Sequence, residues 1–255
     1  FGANVGTTMT GWLVALIGFK IKVQVAALPM IGLGMALRIS GAETRRGAAG
    51  TALAGFGVLF LGIGFLQQAF SGDGFDLSGI SGEGVRSVIL LMLAGLLMTV
   101  IMQSSSAALA IVLTLAESGA LPLQDAAAAV IGANIGTTVT ALIAVIGATP
   151  NARRAAAAHV LFNTLTGAAA LALLPLLLGV VDLVNVSFSL NASPAISLAL
   201  FHTVFNVLGV MLMWPLSNRL AAFLLRRFRS REEDVARLRY LDRNVASVPS
   251  LAADA

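Results

Sequence analysis

The chain has 255 residues, of which 58% are hydrophobic and 11% charged, and its formal net charge is +4. Soluble domains are about 45–50% apolar and about 25% charged, so this composition is typical of a protein embedded in a bilayer. The basic residues lie in short clusters at the ends of apolar stretches, without interleaved aromatic residues, which argues against nucleic-acid binding. With no cysteine, the chain has no disulfide, no thiolate metal site and no cysteine nucleophile.

Five uncharged stretches are long enough to cross a bilayer, which takes roughly 20 residues. They predict an all-α integral membrane protein, and they cover residues 48–70, 87–116, 126–150, 155–181 and 185–218. The residues between the acidic segment 71–85 and Arg153, which the charge distribution described below places on opposite sides of the membrane, must cross it an odd number of times, as full or half spans.

The distribution of charge predicts an orientation. The segment 71–85 carries Asp73, Asp76 and Glu83, whereas arginine clusters mark the other span ends. By the positive-inside rule the arginines are cytoplasmic and the acidic loop is external. We therefore expect a multi-pass protein of a bacterial-type inner (plasma) membrane with a cytoplasmic C-terminus.

The composition changes at Arg226, after which charged residues surround a sparse apolar set. Segment 226–255 is interpreted as a cytoplasmic amphipathic tail or a linker to a further domain; a solvated tail is the alternative. At the other end, Phe1 has no initiator methionine or signal-peptide pattern and resembles an internal residue of a longer protein.

A polar motif occurs twice in otherwise apolar sequence. Residues 2–10 and 132–140 agree at seven of nine positions, as Gly-Ala-Asn-x-Gly-Thr-Thr-x-Thr. Because apolar sequence follows each copy, both are expected to form turns that begin membrane helices and present free N–H groups to an anion. A pair of simple N-caps is the alternative.

The first copy is followed by an additional apolar segment, residues 23–37, that the second copy lacks. If this segment crosses the membrane, the two motifs point in opposite directions. That arrangement is the inverted-topology repeat of many secondary transporters, whose sites lie where the halves meet.

The run Gln103-Ser-Ser-Ser106 interrupts an apolar stretch and places four hydrogen-bonding side chains where the bilayer offers no water. Polar residues at such depth usually line a cavity or site, and they accompany broken or re-entrant helices. The alternative, hydroxyls bonded to their own helix carbonyls, explains one serine better than three serines and a glutamine.

Gln103-Ser-Ser-Ser-Ala107, followed 29 residues after Gln103 by Gly132-Ala-Asn-Ile-Gly-Thr-Thr138, resembles the type II sodium/phosphate cotransporter family up to about Arg226. The resemblance implies two inverted repeats, each with one Gln-Ser-Ser-Ser element in a helical hairpin, that hold phosphate and sodium near mid-membrane. Residues 1–70 would be the remainder of the first repeat and 86–225 the second.

The resemblance also implies the site residues. Phosphate and sodium would be bound by residues of the two motifs and the serine run: Gln103, Ser104, Ser105, Ser106, Asn134, Gly136, Thr137, Thr138, Asn4, Gly6, Thr7 and Thr8. Sodium would be held by Gln103, Ser104, Ser105, Ser106 and Thr137. Secondary candidates are Thr140 and Thr10 of the two motifs, and Asn163 and Asn206 of the two histidine segments described below.

The sequence departs from the family in having no Gln-Ser-Ser-Ser before the first motif. The chain is therefore expected to be truncated at its N-terminus, with half of the site absent. Bacterial members often continue into a PhoU-like helical domain, and the tail from Arg226 resembles the connector to it.

No Asp, Glu, Lys or Arg falls in the middle of a span; Glu117, Asp125 and Asp182 come nearest. Proton-coupled carriers usually need an intramembrane carboxylate or histidine relay. The lack of a carboxylate favours sodium as the coupling ion, held by neutral oxygens, with no other cofactor. An anionic substrate would depend on helix N-termini, hydroxyls and bound sodium.

The two histidines lie in a second internal echo, His159-Val-Leu-Phe-Asn163 and His202-Thr-Val-Phe-Asn206. Both are interpreted as structural, packed and neutral groups on apolar helices.

No enzyme motif is present, so the chain is predicted to be a transporter rather than an enzyme. The predicted function is sodium:phosphate symport by alternating access, with export permitted if the gradients favour it. A sodium-coupled carrier of another small anion, or a non-transporting membrane scaffold, remains an alternative.

Overall fold

The computed structural model describes residues 1–18, 23–70, 77, 79–82, 84–188 and 192–228. The described residues form helices and connecting turns. The helices are α1 (Gly2–Gly6), α2 (Thr8–Leu13) with a π-helical continuation (Val14–Gly18), α3 (Val23–Ser40), α4 (Arg45–Phe70), α5 (Val85–Met102), α6 (Ser105–Glu117), α7 (Leu123–Ala144), α8 (Pro150–Ala172), α9 (Leu174–Ser187), α10 (Pro194–Met213) and α11 (Ser217–Arg227). The prediction of an all-α protein is confirmed.

Five of these helices, α4, α5, α7, α8 and α10, are long and apolar enough to cross a membrane. Their outer faces carry large apolar side chains in contact with the surroundings, such as Ile146 (81% exposed) and Ile101 (71% exposed). A soluble protein would not expose so many apolar side chains, whereas lipid accommodates them. The fold is therefore that of a multi-pass membrane protein.

The interior is formed mainly by α6, α7 and α10. Leu113 of α6, Ile131 of α7 and the neighbouring rings of Phe201 and Phe205 on α10 are fully buried. These three helices position the candidate site, because Ser105 and Ser106 of α6, Asn134 of α7 and His202 of α10 line one cavity.

Helices α5 and α6 form a hairpin that packs against α7. Ser87 bonds to Asp125 near the start of both α5 and α7, and Met92 lies against Gly132 further along, so the two helices run parallel. Helix α6 returns from the tip of the hairpin to the base, where Asp125 also accepts a hydrogen bond from the N–H of Gly82. The apolar stretch 87–116 is thus two antiparallel helices joined at a tip.

Glycines set the close approach of α5 to α7. A Cβ on Gly132 would lie 1.8 Å from the carbonyl oxygen of Met92, and one on Gly95 would lie 2.0 Å from that of Ala129. Only glycine fits at such distances, as at close helix crossings in other membrane proteins. Gly34 and Gly57 play the same part between the antiparallel helices α3 and α4.

The expectation that both polar motifs are turns at the start of membrane helices is wrong for the second copy. Residues 132–140 lie inside α7, which begins earlier, at Leu123. The alanine-rich run before the motif continues the helix through it, since alanine has the highest helix propensity. The first copy comprises α1 and the start of α2, which are separated by a break at Thr7.

The remaining predictions of topology have different outcomes. The segment predicted at 23–37 is helical within α3, and the inverted orientation of the two halves stays a prediction. Most of the acidic loop 71–85 and residues 229–255 of the tail lie outside the described residues. Arg226 and Arg227 form the last turn of α11.

Candidate functional site at the hairpin tip

The hairpin tip is the break between α5 and α6. Gln103 follows α5 in the left-handed conformation (φ 52°), which non-glycine residues rarely adopt. Ser104 is extended and caps α6, its hydroxyl accepting a hydrogen bond from the N–H of Ala107. The helix therefore breaks at the polar run, as the sequence predicted.

The first turn of α6 presents polar groups that have no partner. Within the part of the chain that the structure describes, the N–H groups and the hydroxyls of Ser105 and Ser106 make no hydrogen bond. They stand at the N-terminus of a 13-residue helix, where the helix dipole is positive. An anion or a water molecule could satisfy these donors.

A small cavity lies in front of this helix end. Its walls come from both polar motifs, the hairpin tip and α10: Thr7, Ser105, Ser106, Leu109, Val130, Ala133, Asn134 and His202. Its volume is about 10 Å³, which is about the minimum needed to hold one water-sized species. In this conformation the cavity suits a water molecule or a small ion and is too small for phosphate.

The two copies of the motif meet at Asn163 of α8. The amide nitrogens of Asn4 and Asn134, which occupy equivalent motif positions, lie 2.6 Å and 3.2 Å from Asn163 Oδ1 and donate to it. All three side chains are buried, and Asn163 is fully buried. The repeat in the sequence thus becomes a convergence of two equivalent side chains on one acceptor.

The other side of the Asn163 amide contacts α7 and its own helix. Asn163 Nδ2 is 3.0 Å from His159 Nε2 and 3.5 Å from the hydroxyl of Thr137. Thr137 in turn donates to the carbonyl of Asn134 at 2.6 Å, and Thr7 makes the equivalent bond to Asn4 in the first copy. The two motifs therefore share this hydrogen bond, although the first is broken at Thr7 and the second lies in a continuous helix.

The structure brings together only part of the predicted set. Ser105, Ser106, Thr7 and Asn134 line the cavity, while Asn4 and Asn163 lie behind it. Gln103 is exposed and donates to the carbonyl of Val100.

The remaining predicted residues have other positions. Thr137 faces α8, and Gly136 packs on Thr99 of α5. Thr8 and Thr138 are buried; Thr8 donates to the carbonyl of Val5 and Thr140 to that of Thr137. Gly6 is exposed and Thr10 half-buried. Asn206 is fully buried and donates to the carbonyl of His202.

His202 is the cavity residue that the sequence interpretation missed. It lies on α10 and its Nδ1 is buried without a partner among the described residues. The echo between 159–163 and 202–206 was a signal, because a repeated polar pair on apolar helices needs buried partners. The repeat alone does not indicate that His202 lines the cavity, because that position depends on how α10 packs beside the hairpin tip.

The polar side chains that line the cavity include no carboxylate, ammonium or guanidinium group. Hydroxyls, one amide and one imidazole line it, and among the described residues no three His, Asp or Glu side chains are grouped to hold a metal ion. Hydroxyl and amide oxygens suit a hard monovalent cation, and the serine donors at the α6 N-terminus suit an anion.

The family assignment comes from comparison with known proteins. The family model described as Na+/Pi-cotransporter matches residues 1–68 and 74–214. The chain belongs to the Na+/Pi-cotransporter family. The resemblance inferred from the polar motifs is confirmed, and so is the prediction of a transporter rather than an enzyme.

The chain is also similar to individual proteins, two of which are named for phosphate. The uncharacterized protein YqeW of Bacillus subtilis is 31% identical over 85% of this chain and 67% of its own length. The putative inorganic phosphate export protein YjbB of Salmonella typhimurium is 27% identical over 98% of this chain and 45% of its own. Sodium-dependent phosphate transport protein 2A of Oryctolagus cuniculus is 34% identical over 42% of this chain and 16% of its own.

The chain thus spans about two thirds of one of these relatives and under half of the other two. No solved structure shows significant similarity to the chain.

Proposed function

We propose that this Na+/Pi-cotransporter family member carries inorganic phosphate across a bacterial-type inner membrane in symport with sodium, by alternating access. The observation that carries the proposal is the cavity at the hairpin tip, where both polar motifs and the serine run meet. Family membership and the names of the relatives support phosphate as the substrate.

The serine run provides the anion side of the site. Phosphate would be bound by the N–H groups and hydroxyls of Ser105 and Ser106, at the positive end of α6. Because the cavity has room for only one water-sized species, the hairpin tip would move away from the motifs to admit phosphate.

The two motifs provide the cation side. Sodium would be coordinated by the oxygens of Thr7 and Asn134 from the two motifs, together with the hydroxyl oxygens of Ser105 and Ser106, whose hydrogens are donated to phosphate. Since no charged side chain lines the cavity, phosphate binding depends on the sodium charge, and this dependence is the physical basis of coupling.

Direction follows from the gradients and from any attached regulatory domain. One relative is named as a putative phosphate export protein and another as a sodium-dependent phosphate transport protein, so one name refers to direction and the other to sodium. The symporter described here would run either way, with its C-terminus in the cytoplasm.

Labelled phosphate flux into proteoliposomes, with sodium replaced by potassium, tests the proposal. We expect flux in sodium and nearly none in potassium. Equal flux in both salts would exclude sodium coupling, and absence of flux in both would exclude phosphate transport. Competition by unlabelled arsenate and sulfate measures selectivity among oxyanions.

A further inference from the structure

Asn163 joins the two motifs from behind the cavity. Its Oδ1 accepts hydrogen bonds from both Asn4 and Asn134, and its side chain is fully buried and does not line the cavity. In this arrangement Asn163 contacts Asn134, which lines the cavity, but Asn163 does not itself line the cavity.

The consequence follows from the chemistry of the amide group. A carboxamide has its donors on the nitrogen and its acceptor on the oxygen, which point in different directions from one carbon. Each of these nitrogens donates one of its two hydrogens to Asn163, and the side-chain oxygens of Asn4 and Asn134 accept no hydrogen bond from the described residues. Asn134 lines the cavity, so its unbonded carbonyl oxygen is the acceptor that it can offer there.

The orientation of Asn163 is itself held in place. Its Nδ2 lies 3.0 Å from His159 Nε2, a distance at which the amide donates and the imidazole nitrogen accepts. Turning Asn163 around would set its NH₂ group against the NH₂ groups of Asn4 and Asn134, and would also require His159 to change tautomer so that Nε2 could donate to the oxygen. The amides can therefore reverse only together.

We infer that Asn163 is a positioning residue: by accepting from both motif asparagines it turns the Asn134 carbonyl oxygen toward the cavity and makes the cavity selective for a monovalent cation. This inference rests on the proposed sodium site and adds the group that sets its polarity. The reversed arrangement would line the cavity with an NH₂ group, which repels cations.

The test measures cation binding without transport. Thermal unfolding of the purified protein is followed against sodium concentration, with phosphate absent and choline keeping the ionic strength constant, because a ligand of the folded state raises its stability. The variants are Asn163→Leu, which cannot accept, and Asn163→Asp, whose carboxylate accepts from both amides. Asn185→Leu is the matched control, since Asn185 also bonds to a neighbouring helix, through Ser197, away from the cavity.

We expect Asn163→Leu to raise the half-saturating sodium concentration about tenfold or more, the size of effect known for residues that orient metal ligands. Asn163→Asp and Asn185→Leu should stay within about threefold of the wild type. Equal loss in the Leu and Asp variants, or no loss in the Leu variant, would overturn the inference. No stabilisation of the wild type by sodium would also overturn it.

A second variant distinguishes positioning from general damage. Asn134→Asp offers an oxygen in either orientation, so it should restore sodium binding when combined with Asn163→Leu. Failure of that rescue would mean that Asn163 is purely structural. The same conclusion would follow if Asn163→Leu and the double variant both misfolded while Asn163→Asp folded and bound sodium normally. Phosphate flux is a separate readout: sodium binding that depends on Asn163 without flux would uphold the inference and reject the proposed symport.

Discussion

Asn4 and Asn163 are 159 positions apart in the sequence, and the amide nitrogen of Asn4 lies 2.6 Å from the side-chain oxygen of Asn163. Asn134 donates to the same oxygen from the second copy of the motif. One buried acceptor thus joins both copies of the motif through α8.

This shared acceptor predicts that the effects of Asn4→Ala and Asn134→Ala on stability are coupled. Either single variant leaves one donor on Asn163, whereas the double variant leaves a buried oxygen unpaired. We expect the double variant to lose about 1 kcal/mol more than the sum of the single losses, measured by unfolding in detergent. Asn4→Ala combined with Asn185→Ala should be additive, and additivity in both pairs would contradict the shared acceptor.

The close contact of α5 with α7 predicts a large effect of Gly132→Ala. The new methyl group would meet the carbonyl of Met92 at 1.8 Å, so the helices would have to separate. We expect a loss of about 1–3 kcal/mol or more in stability. Gly55→Ala on α4 is the control, because nothing lies within 4 Å of the added atom. A similar loss of stability in both variants would contradict the close contact of α5 with α7 as the cause.

Because the sequence contains no cysteine, a single cysteine introduced near the cavity can be labelled without background reaction. We expect Ser105→Cys to react with a small thiol reagent, and sodium with phosphate to slow the reaction. Gln103→Cys, at the exposed tip, should react at the same rate with or without the solutes, and Val112→Cys, 1% exposed, should not react. Protection of Gln103→Cys but not of Ser105→Cys would place the solutes elsewhere.

Thr166 provides a test of buried polarity between α8 and α10. Its hydroxyl is buried without a partner among the described residues, and the side chain packs on Gly209. Thr114 is equally buried, but its hydroxyl donates to the carbonyl of Ala110. We therefore expect Thr166→Val to raise the melting temperature and Thr114→Val to lower it, since an unpaired buried hydroxyl costs about 1–3 kcal/mol. A lower melting temperature for Thr166→Val would mean that the hydroxyl has a partner, such as bound water.

Much of the fold is predictable because it follows from local chemistry. The length of the apolar stretches predicts the spans, and the polar run at Gln103 predicts the helix break. Such polar groups are costly inside a bilayer unless they line a cavity or a site. The second motif was misread as a turn because glycine and asparagine favour turns in water. In this protein Gly132 instead provides close packing on α5, a role that depends on a neighbour distant in sequence.

The candidate site was predictable only in its motif residues. Thr7 and Asn134 follow from the repeated motif and Ser105 and Ser106 from the single serine run, and the structure places all four around one cavity. The roles of His202 and Asn163 depend on how α8 and α10 pack against the hairpin, and no local pattern encodes that packing. Composition likewise could not indicate that two motif amides share one acceptor.

The most direct test of the account is equilibrium binding of labelled phosphate to the purified protein in sodium and in potassium, with the serines of the tip replaced. We expect the wild type to bind phosphate in sodium only, and Ser105→Ala combined with Ser106→Ala to lose that binding. Ser118→Ala, an exposed serine at the far end of α6, should bind as the wild type does. Sodium-dependent binding that survives the loss of both tip serines would contradict the claim that the hairpin tip holds the substrate.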